Sequence, residues 1–409
     1  MSDFDVAIVG GGMVGASLAL ALAPTPLKVL LVEAVAPASN AQPSFDERTT
    51  ALGNASRRIF QGLEVWPRLE PEAGVIRTIH VSDAGHLGFA RLRAPEQWID
   101  AFGYVVANRA IGAALWERLT AHAPNLTLRV RAKPVAIRFD AERATLELRT
   151  PTGTEQVGVR LIVAADGADS AVRQAAGIEA ETVDYGQVAL VTNVRADRPH
   201  DGTAYERFTP AGPLAVLPLH DGSYTVVWAR PPQAARETLE LPDAAFLAAL
   251  QRAFGWRAGR FERVGRRASY ALKLTRAART AAPRLVLIGN AAQALHPVAG
   301  QGFNLGLRDA AVLAERLAAA RGDVGARELT EGFAAERAVD RAGVVRFTDG
   351  LVRLFADTRA PVGLLRNAGL LLFDLVPPAK RALARVSAGF GGRTPRLARG
   401  LPLSSRARP

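Results

Sequence analysis

The sequence predicts an α/β chain: a discontinuous Rossmann-like domain interrupted by an antiparallel sheet and followed by helices. Three observations predict it. A strand, a glycine turn, a helix and a second strand open the chain. Two further buried strands end in glycine at 161–167 and 284–289, and apolar residues alternate with period two between them. A length of 409 residues exceeds one ordinary core and implies two or three domains. With 49% hydrophobic and 22% charged residues, the chain is neither largely disordered nor collagen-like. It has no cysteine, which excludes disulfides, thiolate metal sites, iron–sulfur clusters and a thiol nucleophile and fits a reducing compartment.

Residues 4–9 (FDVAIV) are continuous, β-branched and ended by glycines, so they read as a buried strand. A helix follows over 14–22, closed by Pro24, and 28–33 (KVLLVE) is a second buried strand; together they make a right-handed parallel βαβ unit. The uncharged run 6–27 is long enough to span a bilayer. Asp3 and Asp5 precede it, however, and Gly10, Gly11, Gly12 and Gly15 interrupt it, which argues against both a signal peptide and a span. The apolar run 368–373 is too short to cross. A helix is expected near 109–121, short strands at 126–130 and 144–149, and a one-face-covered antiparallel sheet from 187 to 230. A long helix is expected from about Asn304, and beyond Thr330 the pattern is helical to about Arg385. The boundaries expected from this pattern place the nucleotide domain at 1–77, 100–180 and 280–330. A β-rich substrate domain takes 78–99 and 181–279, a helical region 331–388, and a basic tail, expected to be disordered, 389–409.

Gly10-Gly11-Gly12-Met13-Val14-Gly15 has the G-x-G-x-x-G spacing. The first glycine permits the turn, the second lets a pyrophosphate approach the backbone, and the third allows close helix–strand packing. The helix end then offers free N–H groups and a positive dipole end. Glu33, at the tip of the next strand, stands where a carboxylate accepts from a ribose. In this context the run reads as a dinucleotide site; alone it would be a tight turn. Asp166-Gly167 ends another buried strand, a pairing that in isolation is a turn. Gly289-Asn290-Ala291-Ala292-Gln293 ends the third strand and leads through His296 and Pro297 to Gly300-Gln301-Gly302-Phe303-Asn304, where a fresh helix begins.

These three ordered motifs resemble the group A FAD-dependent aromatic monooxygenases, with the p-hydroxybenzoate hydroxylase fold. Within them the chain is most similar to the ubiquinone-biosynthesis hydroxylases, on 46–52 (DERTTAL), Tyr185-Gly186-Gln187, 206–213 (ERFTPAGP) and 299–306 (AGQGFNLG). Asn290 and Gln293 stand where the wider superfamily has G-D-A-A-H, and with Leu295-His296-Pro297 this is similar to the 2-polyprenyl-6-methoxyphenol hydroxylase subgroup. The resemblance implies an FAD-binding domain with Gly10, Gly12, Gly15 and Glu33 on the ADP half and Val130 beside the adenine. It places Arg48 and Asn108 near the pyrophosphate and ribityl chain, with Asp166 and Gly167 closing over it. Gly289, Asn290, Pro297, Gly300, Gln301, Gly302 and Asn304 would line the flavin. It further implies NADH or NADPH as a transient donor, since no second G-x-G-x-x-G exists, and ring hydroxylation through a flavin C4a-hydroperoxide. The expected reaction is C4 hydroxylation of a lipid-attached phenol with O₂, or hydroxylation at another ring position or on another aromatic.

No motif names a catalytic base; His296 is the nearest candidate, against a packed or capping role. The histidines lack metal-ligand spacing, so no metal site is expected. Trp66, Trp98, Trp116, Trp228 and Trp256 never fall two apart, so the W-x-W-x-I-P halogenase signature is absent. The formal charge of +12 raises a non-catalytic nucleic-acid or membrane-surface binder as an alternative. Only Lys28, Lys133, Lys273 and Lys380 are lysines, an arginine bias that fits genome composition, and the charge excess lies after Asp374, where no acidic residue occurs. Nucleic acid is therefore not expected as a partner. The expected location is cytoplasmic and peripheral at the inner face of the cytoplasmic membrane, with anionic lipid and other ubiquinone-biosynthesis enzymes as partners.

Overall fold

The computed structural model describes residues 3–37, 48–121, 124–296, 298–356, 359–390 and 392–403. Five parallel strands run side by side at its centre, in the order Leu285–Leu287, Gly153–Ala164, Phe4–Val9, Val29–Glu33 and Leu126–Val130. Alternate side chains of the first strand enter two different cores. Val6 and Ile8 pack with the helices Met13–Leu22 and Asn108–Thr120, whereas Ala7 and Val9 pack with Leu146 and Val159 on the other face. Burial on both faces is why these strands read as unbroken apolar runs rather than alternating ones. The strand Gly153–Ala164 serves two partners: its first half pairs antiparallel with Ala144–Thr150, and from Val159 it pairs parallel with Phe4–Val9.

The second sheet has nine strands and is antiparallel except at one seam. There Thr203–Thr209 pairs in parallel with Thr78–Asp83, which returns the 78–99 excursion to the main insertion. One face is covered by the helices Pro232–Glu240 and Asp243–Phe254, with Leu190, Val216, Trp228, Phe246 and Leu250 between the layers. These two helices lie inside the segment expected to be β-rich. Two further expectations are corrected. The Gln293–Ala294 strand, assigned to the nucleotide domain, pairs with Ala268–Ala277 of the second sheet. The helix expected from Asn304 begins at Gln301, where Gly300 turns the chain.

The C-terminal helices Arg327–Ala356, Ala360–Leu375 and Pro377–Ser387 close the remaining side. Their anchor is a buried charge cluster. Asp309, fully buried on the helix Gln301–Ala319, accepts from Arg337 Nε at 2.7 Å and Arg341 Nη2 at 3.0 Å, while Asp340 accepts from Arg308 Nε at 3.2 Å. Burial alone would raise the Asp340 carboxyl, but Arg308 and Arg337 hold it below its ordinary value.

The expectation of a disordered tail fails for its described part. Leu397, Ala398 and Leu403 are buried in the main core beside the helix Asn54–Gly62, and Arg393 pairs with Glu315 and Glu336. The apolar residues spaced among the arginines anchor the segment; composition alone hid them. Arg406 and Arg408 lie outside the described residues.

Candidate active site

The three motifs meet because their strands are neighbours. Gly10, Asp166 and Gly289 follow the carboxyl ends of adjacent parallel strands, tied by Ala165 N to Val9 O at 2.8 Å and Ile288 N to Ala164 O at 3.0 Å. Glu33 and Val130 pair directly on the next two strands. The predicted residues thus line one edge, Val130, Glu33, Gly10, Asp166, Gly289, where open α/β sheets place their ligands.

Local geometry explains each residue type. Gly10 has φ +103°, and a Cβ there would stand 2.4 Å from Ala165 O; a Cβ on Gly15 would stand 1.9 Å from Gly10 O. The helix Met13–Leu22 has Gly12 at its N-cap and no side-chain cap, leaving its first-turn N–H groups without a side-chain acceptor. Glu33 accepts from Gly11 N and from Val35 N, each at 2.7 Å, so its carboxylate braces the turn and keeps further lone pairs for a ligand. A glycine cradle, an uncapped helix end and a braced carboxylate fit the pyrophosphate and ribose of a dinucleotide.

Asp166 is a different kind of residue. Its carboxylate accepts from Ser170 Oγ at 2.5 Å and Val172 N at 3.1 Å, and burial pushes it above its ordinary value against those bonds. It organises the loop that follows, and Arg173 ties that loop to the third motif by donating to Ala291 O at 3.0 Å. Gly167, at φ +91°, has open space where a Cβ would be.

A cavity of about 960 Å³ runs from Met13, Arg48 and Asn290 across the Gly300 turn to the face of the second sheet that the C-terminal helices overlie. Asn290 is exposed and lines it, offering both a donor and an acceptor. Arg48 stacks on Tyr270, 4.7 Å from the ring centre. Asn108 is buried, takes a hydrogen bond from Thr50 Oγ1 at 2.7 Å and donates its backbone N–H to Arg48 O at 2.8 Å. Gln301 and Gly302 also border the cavity, with Gln301 buried. Asn304 lines it too, but its amide is engaged by the chain: Oδ1 accepts from Gly53 N and Ser56 Oγ, and Nδ2 donates to Ala51 O and Gly300 O. Its place is to hold the helix start against the Thr49–Gly53 strand. Pro297 lies outside the described residues.

His296 is buried, and burial lowers it to about 4, so it is neutral at pH 7. Its Nδ1 accepts from Val298 N at 3.2 Å and its ring meets Tyr185 edge-on at 5.1 Å. Glu206, quoted above only as part of a family mark, lines the cavity from the strand Thr203–Thr209; it was overlooked because a charged residue in a strand ordinarily faces solvent.

Residues 3–348 match the family model described as an FAD binding domain. The chain is 40% identical over 410 residues to a ubiquinone hydroxylase of Rhodospirillum rubrum, covering 98% of this chain and 93% of that protein. It is 33% identical to the 3-demethoxyubiquinol 3-hydroxylase of Escherichia coli, covering 94% and 98%. Among solved structures, p-nitrophenol 4-monooxygenase from Pseudomonas putida shares the fold with a TM-score of 0.78 at 21% identity, covering 96% of this chain and 100% of that one. No single helix among the described residues is long and apolar enough to cross a membrane. With the motifs assembled on one edge and these relatives matched along nearly the whole chain, the protein belongs to the FAD-dependent, NAD(P)H-type aromatic monooxygenases of ubiquinone biosynthesis.

Proposed function

We propose that the protein hydroxylates C4 of a 2-polyprenyl-6-methoxyphenol, taking its substrate from an anionic membrane surface at the inner face of the cytoplasmic membrane. FAD, when bound, supplies the oxygen-activating redox chemistry. The chain's own part is to hold the flavin, orient the ring and exclude water. In this reading Gly10, Gly12, Gly15 and Glu33 hold the ADP half, with Val130 beside the adenine. Arg48, Asn108, Asp166 and Gly167 flank the pyrophosphate and ribityl chain, and Gly289, Asn290, Gly300, Gln301 and Gly302 border the flavin ring.

The observation that carries the reading is the cavity's shape and lining. Beyond the flavin motifs it continues between the second sheet and the C-terminal helices, among Phe347, Leu351, Phe355, Leu370 and Phe373. Leu354 and Leu365 line it and are also exposed, so the apolar lining reaches the surface, where Leu371, Leu372 and Leu375 stand exposed on the same helix as Leu365. That route suits a prenyl tail, and exposed Arg381 and Arg385 on the helix that follows suit an anionic lipid interface.

The C4 assignment rests on the Asn290/Gln293 form of the third motif. A second reading, another ring position in the same pathway, is favoured by the named activity of the Escherichia coli relative. The test is the quinone profile of a deletion strain. Accumulation of a polyprenylphenol lacking the C4 hydroxyl supports the first reading, and accumulation of a demethoxyquinol supports the second. An unchanged profile overturns both.

A further inference from the structure

The face of the second sheet that borders the cavity is built from small apolar residues. Across one row of paired strands stand Val191, Val227 and Ala215, in register, and at the far side Val81. Glu206 stands between the last two of that row, opposite Ala215 on one strand and Val81 on the other. Its neighbours on the same face of its own strand, Ala204 and Phe208, are buried and apolar. The residue is half-buried and lines the cavity, and among the described residues it has no hydrogen-bond or ion-pair partner.

That isolation distinguishes it from the carboxylates that hold the fold together. Asp309 is gripped by Arg337 and Arg341, Asp83 by Arg366, and Glu33 by two backbone N–H groups. Arg207, next in sequence, points to the opposite face and donates to Ala253 O. A carboxyl left unpaired in an apolar wall is costly to the fold, and its place on the wall of a cavity points to a ligand.

We propose that Glu206 is the base of the hydroxylation, taking the phenolic proton of the ring held against this sheet. The phenolic O–H bond breaks, a carboxyl O–H bond forms, and the electron pair stays on the phenolate oxygen, which enriches the ring positions ortho and para to it. The proton returns to that oxygen when the hydroxylated ring leaves, so the carboxylate is regenerated. Burial raises Glu206 to about 7, where a general base works best near neutral pH. Of the other titratable groups bordering this space, Arg366 pairs with Asp83, Arg48 stacks on Tyr270, Tyr205 donates its hydroxyl to Arg257 O, and burial lowers His296 to about 4, which leaves it a weak proton acceptor.

The inference rests on the phenol-hydroxylase reading, and its test separates the two. Holoenzyme carrying Glu206→Gln is compared with wild type on a short-tailed prenylated methoxyphenol and on a fluorinated analogue already ionised at pH 8. Equilibrium binding of both phenols is measured alongside turnover. The expected result is a loss of about 10²–10⁴-fold in kcat/KM on the ordinary phenol and a much smaller loss on the ionised one. The acid limb of the wild-type profile, near pH 7, moves up towards the phenol's own value of about 10. Glu206→Asp, which keeps an ionisable group at shorter reach, is expected to retain the limb at reduced rate, and it carries the test if the Gln variant does not fold. Equal losses on both phenols, or turnover within about threefold of wild type, overturn the assignment of the base alone. Wild-type protein that binds and hydroxylates neither phenol overturns the phenol reading, and this assignment with it.

Discussion

Gly15→Ala tests whether the glycine turn is a phosphate cradle or only a bend. A Cβ at this position would stand 1.9 Å from Gly10 O, a backbone atom with no rotamer to change. Ordinary non-bonded separation is about 3.5 Å, so the helix Met13–Leu22 must retreat from the turn by about 1.5 Å. Hydrogen bonds keep their strength only within about 2.7–3.2 Å, so the first-turn N–H groups would lose a pyrophosphate placed by the wild-type geometry. Two charge-assisted bonds at about 1.5–3 kcal/mol each amount to about 3–6 kcal/mol, or about 10²–10⁴-fold in FAD affinity. The assay is FAD titration of apoprotein by flavin fluorescence, with Gly343→Ala as a folding control. Gly343 lies in the helix Arg327–Ala356 with open space around its Cβ position, so that substitution should be neutral or stabilise slightly. A Gly15→Ala protein that binds FAD within threefold of wild type would refute the cradle.

Three further outcomes follow from the fold. Asp309→Asn leaves two buried guanidinium groups short of charge and should cost about 3–5 kcal/mol, read as a lower urea midpoint; an unchanged midpoint removes the cluster's anchoring role. Serine at Leu365, Leu372 and Leu375 together should weaken binding to anionic vesicles by at least about tenfold, since each buried leucine contributes about 1.5–3 kcal/mol. Vesicle binding that survives the triple change removes the docking surface. Two buried histidines set the acid response. Burial, with the Arg257 guanidinium against it, holds His80 down to about 4, and burial alone does the same for His296. Both protonate near 6.5 once unfolded, so their contribution is complete above about pH 6.5 and declines as pH falls towards 4, offset only in part by Glu206, whose raised carboxyl takes up its proton in the fold. A melting temperature that stays flat between pH 7 and 4.5 contradicts this.

The parallel sheet was legible because its strands are buried on both faces, so Phe4–Val9, Val29–Glu33 and Leu285–Leu287 announce themselves as unbroken apolar runs. The glycine motifs were legible because steric demands at Gly10 and Gly15 admit no other residue. Pairing across long separations was not. Nothing in Thr78–Asp83 says that it lies parallel to Thr203–Thr209, because register there is set by tertiary packing. Asn304 illustrates the same limit at the site: its place in a motif implied a ligand contact, while its four bonds to Gly53, Ser56, Ala51 and Gly300 need the folded chain to be seen. Glu206 was hidden by an opposite error, because a polar residue alternating with apolar ones reads as solvent-facing even when the space it faces is an interior cavity.

The interleaved order of the central sheet also governs how the protein emerges during synthesis. Phe4–Val9 leaves the ribosome first, yet its neighbour Gly153–Ala164 comes far later, and Leu285–Leu287 beyond it later still. At about 5–20 residues per second, the N-terminal strand waits tens of seconds for the edge that completes the flavin site. Its edge towards Gly153–Ala164 stays unpaired until that strand is made. Nascent chains therefore have a long window of vulnerability to aggregation, and FAD cannot rescue them early, because the third motif is still unmade.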